Sequence, residues 1–465
     1  MQKHLVPQNS FVPQSPYDPR YDPVTDGGPG RGRDYCPTYW IGTAGTPPAD
    51  DGPVTADMDV DVAIIGSGYT GLSTAIHLAR DHGIKATVLE ANGVAWGCST
   101  RNGGQAQISA GRLTRGQWIK RWGIDVARKM HGEMIEAFDL FRSLIADIDC
   151  EPQADGHLYI AHRAKMMPKL EKQSQLLNEA FGYPTRIIGR SELHADYLKD
   201  EEAGGAMYEP DGIGIHAGKL AFGYLDLARS LGAKVHTASP VSGWETRDGV
   251  HHLKTPGGTV RARSVGIATA GYTAPGMAKL TSHRLMPILS NSVATRPLTE
   301  AERQACGFRT RMILTDTRTL RHYYRLLPDN RLQIGSRSAV TGADAENPKH
   351  LELLLAGMHR KFPALKGVPL DYSWWGWVDV SHDMMPRISR PVRGQTIHYA
   401  MGYGGNGVMY SAQAGRRMAQ LIAGKPVPDL PIFTGELPHH GILTPFRRLG
   451  QRAMYRWYQL RDETL

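Results

Sequence analysis

Gly66, Gly68 and Gly71 stand at G-x-G-x-x-G spacing, and Glu90 follows roughly 20 residues later, where an acid meets the ribose of a dinucleotide held at such a turn. The first glycine permits a tight turn, the second lets a pyrophosphate approach the backbone, and the third lets the next helix pack closely on the preceding strand. The flanking residues suit these roles. Val60, Val62, Ala63, Ile64 and Ile65 form a short β-branched run of the kind found in buried parallel strands. Residues 70–82 place Leu72, Ala75, Ile76 and Ala79 at helical spacing, so the N-terminus of that helix would aim its free N–H groups at the phosphates. Gly83 stops the helix, and a second strand over residues 86–89 ends at Glu90. Together these features specify a dinucleotide site without choosing between FAD and NAD.

The choice comes from residues 97–105, which run Gly97, Cys98, Ser99, Thr100, Arg101, Asn102, Gly103, Gly104 and Gln105. This small, polar, glycine-rich loop resembles the loop that follows the FAD pyrophosphate toward the isoalloxazine in the D-amino-acid oxidase superfamily, in particular its γ-glutamylputrescine oxidoreductase-like branch. Two further segments carry the resemblance. Thr269, Ala270 and Gly271 match the turn that passes beside FAD in that family, where Val241 also touches the adenine side. Gly402, Tyr403, Gly404, Gly405, Asn406 and Gly407 precede a helix over residues 407–422, and the family places this loop at the pyrimidine edge of the flavin. A helix N-terminus there would stabilise the negative charge that develops on flavin reduction.

The resemblance implies an α/β fold: a discontinuous Rossmann-like FAD-binding domain (56–150, 205–275 and 381–425) with an interleaved strand-rich α+β substrate domain (151–204 and 276–380). It implies FAD as cofactor and amine oxidation by hydride transfer to flavin N5, with oxygen or an electron carrier as final acceptor. The expected cofactor residues are Gly66, Gly68, Gly71, Glu90, Ser99, Arg101, Asn102, Gly103, Val241, Gly271, Gly404, Gly405, Asn406 and Gly407. FAD is expected without a covalent link. The covalently flavinylated relatives carry their cysteine near the Trp375 region, where this chain has none.

The elements that would position a substrate lie between the flavin segments. Tyr323, Tyr324 and Arg325 place aromatic surface next to a fixed positive charge on a strand that turns at Asp329-Asn330, and guanidinium pairs with carboxylate in bidentate fashion. Trp375 lies in a tryptophan-rich strand that resembles the family's segment before the flavin. These four are the expected substrate-binding residues for a carboxylated amine such as a γ-glutamylated diamine; Arg325 serves equally well as an ordinary surface ion-pair residue. No histidine or acid is singled out as catalytic.

Composition bounds the remaining possibilities. At 465 residues the chain can bury a sizeable core, and 41% hydrophobic with 21% charged residues is the balance of a soluble enzyme. The four cysteines, Cys36, Cys98, Cys150 and Cys306, are scattered, which argues against a metal site or disulfide framework and favours a reducing, cytoplasmic setting. The net charge of +9 comes from dispersed residues, so nucleic acid is not the expected partner. An RNA-modifying flavoprotein of the same fold and a non-catalytic FAD-containing partner protein remain the alternatives.

Residues 1–55 form a proline-rich extended segment, with Tyr39 and Trp40 as its anchors, and helices are expected over residues 125–148, 165–181 and 219–231. A meander of strands near residues 241–261 precedes a separate return strand over 265–268. The tail, 426–465, is proline-rich up to Pro445 and then helical, with Phe446, Leu449, Ala453, Trp457 and Leu460 forming an apolar stripe flanked by arginines. That helix either docks on its own protein or makes a peripheral membrane contact.

Overall fold

The structure is a computed structural model that describes residues 15–439, 441 and 446–463. Phe11 and Pro445 lie outside the described residues.

Strand Met58–Ile65 pairs in parallel with Ala86–Leu89 on one side and Gly258–Ile267 on the other. Lys234–His236 and Ile397–Met401 extend the parallel sheet at its two ends, and the short strand Arg387–Ser389 closes one edge in antiparallel fashion. The four inner residues of the first strand are buried, because helices cover both faces of such a sheet. Helix Tyr69–His82 lies against helix Gly407–Ile422, where the Ser73 hydroxyl donates to the Ala412 carbonyl. The C-termini of the parallel strands therefore open toward one crevice, the place where open α/β sheets bind ligands.

A second sheet carries Leu370–Ser381, Leu285–Thr295, Leu332–Ser336, Tyr323–Leu326, Ile313–Asp316, His157–Ala161, Gly205–Glu209 and Arg186–Gly189 in that spatial order. Its pairs are antiparallel except Ile313–Asp316 with His157–Ala161. The expected boundary at residue 205 needs correction: Gly205–Glu209 pairs with His157–Ala161 and so belongs to this second sheet, not to the nucleotide sheet. A further correction concerns the meander. Its third strand and the return strand are one continuous element, Gly258–Ile267, whose first half pairs with Val250–Thr255 while residues 260–267 pair with Met58–Ile65.

The long helix Arg115–Ile145 begins earlier than its apolar periodicity suggests, because Thr114 and Gln117 form a capping box. Gly123, at φ 81°, interrupts it. In the N-terminal segment Thr38 caps a single turn, Tyr39–Thr43, and both Tyr39 and Trp40 are buried. The C-terminal helix Arg447–Glu463 docks on the body through buried Gln451, Tyr455 and Asp462, with the Asp462 carboxylate accepting the Thr319 and Leu320 N–H groups at 2.7 and 3.0 Å. Phe446, Leu449, Trp457 and Leu460 face outward. Among the described residues no helix is long and apolar enough to cross a membrane.

Candidate active site

The crevice between the two sheets holds a cavity of about 630 Å³. At one end Gly66 takes φ +101°, a conformation open to glycine at little cost, and turns the chain from strand to helix. A Cβ at Gly68 would meet only the Ser99 hydroxyl, at 3.0 Å, so this position lies open to the cavity. Gly71 does not line the cavity: a Cβ there would strike the Gly66 carbonyl, so this glycine serves helix packing alone. Glu90 lines the cavity and accepts from the Ser67 N–H and hydroxyl at 2.9 and 2.8 Å and from the Asn92 N–H at 3.1 Å. Burial raises its carboxyl above the usual range, and those donors hold the rise down.

The loop 98–104 is held on every side. The Asn102 side chain spans it, donating to the Cys98 and Ser99 carbonyls and accepting the Gly104 N–H at 2.7 Å. Trp40 and Trp374 donate their indole N–H groups to the Asn102 and Arg101 carbonyls at 2.7 and 2.9 Å, and the Thr38 hydroxyl donates to the Thr100 carbonyl. The N-terminal segment thus braces the loop. Arg101 lines the cavity, yet both its Nε and one terminal nitrogen donate to the Trp96 carbonyl, while its plane lies over Trp96 and near Tyr272. Ser99, Asn102, Gly103 and Val241 line the same cavity. Gly271 does not; a Cβ there would sit 2.9 Å from the Trp377 carbonyl, so its role is packing against the tryptophan strand, while Thr269, Ala270 and Tyr272 face the cavity.

At the other end Gly404, Gly405, Asn406 and Gly407 line the wall. Asn406 caps helix Gly407–Ile422 with no side-chain bond, because its amide turns to the Gly111 carbonyl. Helix Tyr69–His82 likewise gets no side-chain cap from its own N-cap residue, Gly68, although the Ser99 hydroxyl accepts the Tyr69 N–H at 3.0 Å. Two helix N-termini thus present backbone N–H groups to the cavity, which suits a ligand negative at one end and gaining charge at the other. Asp379 lies beside this wall and accepts the Gly402 N–H, and burial pushes its carboxyl up to about 6.

A family model described as FAD dependent oxidoreductase matches residues 61–421. The chain belongs to that family. A γ-glutamylputrescine oxidoreductase from Escherichia coli (strain K12) is 32% identical over 414 residues, which cover 86% of this chain and 92% of the relative. Among solved structures, glycine oxidase from Geobacillus kaustophilus shares the fold at a TM-score of 0.68, with 20% identity, 82% of this chain and 99% of that one covered. A dithionite-reduced L-α-glycerophosphate oxidase from Mycoplasma pneumoniae with FAD bound superposes at a TM-score of 0.64, with 14% identity over 82% of this chain and 99% of that one. The protein is therefore an FAD-dependent oxidoreductase, and the glycine turn, Glu90 and the two open helix N-termini fit that cofactor.

The expected substrate residues divide. Tyr323 lines the cavity; its ring lies over Gly335, where a side chain would collide with it, and its hydroxyl bonds Ser290, Ser292 and the Asn291 carbonyl. Tyr324 points to the opposite face of the strand and gives its hydroxyl to buried Asp200 at 2.6 Å, so it is no substrate residue. Arg325 shares the Tyr323 face but is sealed under Gly104 and Gly214, donating to Gln153 and to the Ile215 carbonyl with its plane near Trp40. It props the loop from behind. Trp375 lies outside the cavity, edge-on to His350, whereas Gly376 and Val378 of its strand face inward.

The sequence reading missed the cavity's own cations. Arg112, Arg115, Arg321 and Arg337 line it, and their hydrogen bonds go to the Gly404, Ile108 and Thr319 carbonyls and the Tyr159 hydroxyl, with no acid within ion-pair distance among the described residues. Arg337 and Arg321 flank burial as causes that push Arg112 down to about 9. Burial also lowers Arg115 and Arg337. One available signal was position: Arg321 precedes Tyr323 by two residues, and Arg337 directly follows the partner strand of that hairpin.

Proposed function

We propose that the protein oxidises an amine that also carries a carboxylate, a γ-glutamylated diamine being the compound suggested by the name of the Escherichia coli relative. The observation that carries this reading is the set of four cavity guanidiniums without an acidic partner. Arg337 and Arg321 lower the proton affinity of Arg112, burial and Arg321 lower that of Arg337, and desolvated cations are costly unless an anion joins them; a carboxylate supplies charge-assisted bonds. When bound, FAD would supply the two-electron acceptor for hydride leaving the carbon that bears the nitrogen. The imine left at that carbon takes up water and gives an aldehyde with ammonia or a shorter amine. Oxygen or an electron carrier completes the cycle. The chain contributes orientation and electrostatics. Tyr323 forms the wall beside Gly103, and the surrounding guanidiniums disfavour a second cation, which keeps the reacting amine neutral without a dedicated base.

The cations that distinguish this molecule lie inside the cavity and do not form a surface stripe, which favours a small anionic substrate over RNA. The C-terminal helix docks on the body; the other of its two expected roles, a peripheral membrane contact, is not supported, and the proposal does without it. Mixing with amines in the absence of oxygen tests the reading. Carboxylated amines are expected to bleach the oxidised flavin band at lower concentration than their uncarboxylated counterparts, with aldehyde accumulating. Equal affinity for both classes would remove the carboxylate from the proposal, and a fully FAD-loaded protein bleached by no amine would overturn it.

Non-covalent attachment belongs to the same proposal. Cys98 lines the cavity, but burial and Asp379 push its thiol up to about 12, so the thiolate needed for attack on a flavin is absent at neutral pH. Acid precipitation should leave yellow flavin in the supernatant; colour retained in the pellet would contradict this.

A further inference from the structure

The floor of the cavity is one face of the second sheet, and its charges are not all of one sign. Tyr323, Thr315 and Tyr159 are in register on adjacent strands, and His157, on the same strand as Tyr159, is in register with Glu209 on the next strand. All five line the cavity. Glu209 is buried, accepts from or pairs with His157 Nδ1 at 2.7 Å through one carboxylate oxygen, and His157 Nε2 in turn bonds the Thr315 hydroxyl at 2.8 Å. Although burial opposes its charge, His157, Arg115 and Arg321 keep the Glu209 carboxyl below the usual range. Arg321 lies over the Tyr159 ring at 5.0 Å, and Arg115 has a buried Nε without a partner among the described residues. Neither guanidinium is within ion-pair distance of Glu209, so space for a ligand separates them.

An acid facing two unpaired guanidiniums across open space is the complement of a zwitterion. We infer that this lobe binds the α-amino-acid head of the substrate, with the α-ammonium on Glu209 and the α-carboxylate between Arg115 and Arg321. The inference rests on the proposed amine oxidation and specifies the far end of its substrate. The spacing agrees. Tyr323, beside the flavin loop, and Glu209 are three strand steps apart, about 14 Å across the sheet, and Glu209 is displaced two residues along its strand from Met207, the residue in register with Tyr159. A γ-glutamyl diamine has roughly eight bonds between its reacting carbon and its α-carbon, or about 10 Å when extended. The remaining gap is the reach of the two side chains. A simple α-amino acid oxidised at its own α-carbon could not touch Glu209 from the flavin.

The test uses the FAD-loaded protein and three butylamides that lack the terminal amine of a γ-glutamyl diamine, bound in a calorimeter: γ-glutamyl butylamide, glutaryl butylamide without the α-amine, and 4-aminobutanoyl butylamide without the α-carboxylate. The complete head should bind at least about ten-fold more tightly than either truncated one, since each loses a charge-assisted bond. Glu209→Gln should abolish the preference for the α-amine and keep that for the α-carboxylate, and Arg321→Met should do the reverse. Equal binding of the three amides to the unaltered protein, or an undiminished preference for the α-amine in Glu209→Gln, would overturn the inference. The calorimetric arm needs no turnover, so it separates failure of this lobe from failure of the amine reaction, which bleaching reads.

Discussion

Gly68→Val is expected to give protein that folds but carries no FAD. The backbone there, φ −68° and ψ 179°, is open to any residue, and the nearest obstacle to a Cβ is the end of the Ser99 side chain. The added branch instead projects where the pyrophosphate must meet the start of helix Tyr69–His82. Loss of several charge-assisted N–H contacts, each worth ~1.5–3 kcal/mol, should weaken FAD binding by at least about a hundredfold. Gly71→Val should behave differently, because its Cβ would strike the Gly66 backbone and separate helix from strand. The measurement is flavin absorbance per protein alongside far-UV circular dichroism. A yellow Gly68→Val at full stoichiometry would remove the phosphate site from this turn; a colourless but folded Gly71→Val would remove the distinction between the two glycines.

The contrast between these glycines also marks what was legible in the sequence. Spacing, a β-branched strand and a downstream acid are local signals, so the turn, Glu90 and the loop 98–104 could be read from residues close together in the chain. The strand Tyr323–Leu326 was legible as a hairpin arm for the same reason. What lay on each of its faces was not. Tyr323 and Arg325 share a face, but only the approach of Gly104 and Gly214 from distant parts of the chain decides that the first meets the cavity and the second is sealed. Trp375 was misread through parity: the strand Leu370–Ser381 turns Gly376 and Val378 inward, and nothing nearby in sequence says which parity faces the flavin. The four cavity arginines besides Arg101 come from three different segments, and an unpaired guanidinium is recognisable only when its surroundings are known.

Tyr324 leads to the second large effect, which concerns stability. Its hydroxyl ends on Asp200, which with Asp316 and Glu202 surrounds the fully buried Lys361 ammonium at 3.3, 3.2 and 3.4 Å. Arg318 joins Asp316 at 2.6 Å and Glu202 at 2.9 Å. Lys361→Met fills the same volume and leaves these carboxylates short of one cation, and breaking a buried pair from one side costs about 3–5 kcal/mol. The melting temperature should fall accordingly while FAD content at low temperature is retained, since the cluster lies outside the cavity lining. The pH dependence follows from the carboxylates. Burial alone would raise Glu202, but Lys361, Arg318 and Arg360 overcome it and hold the carboxyl at about 2; Asp316 is likewise held well below its usual value against burial. A carboxyl with a lowered folded-state pKa contributes its stability in full above its unfolded value, about 4, and loses it as the pH falls toward the folded one. The deficit of Lys361→Met should therefore be largest near neutrality and shrink between about pH 4 and 2. A deficit unchanged across that range would mean that Lys361 stabilises the sheet by packing and not by charge.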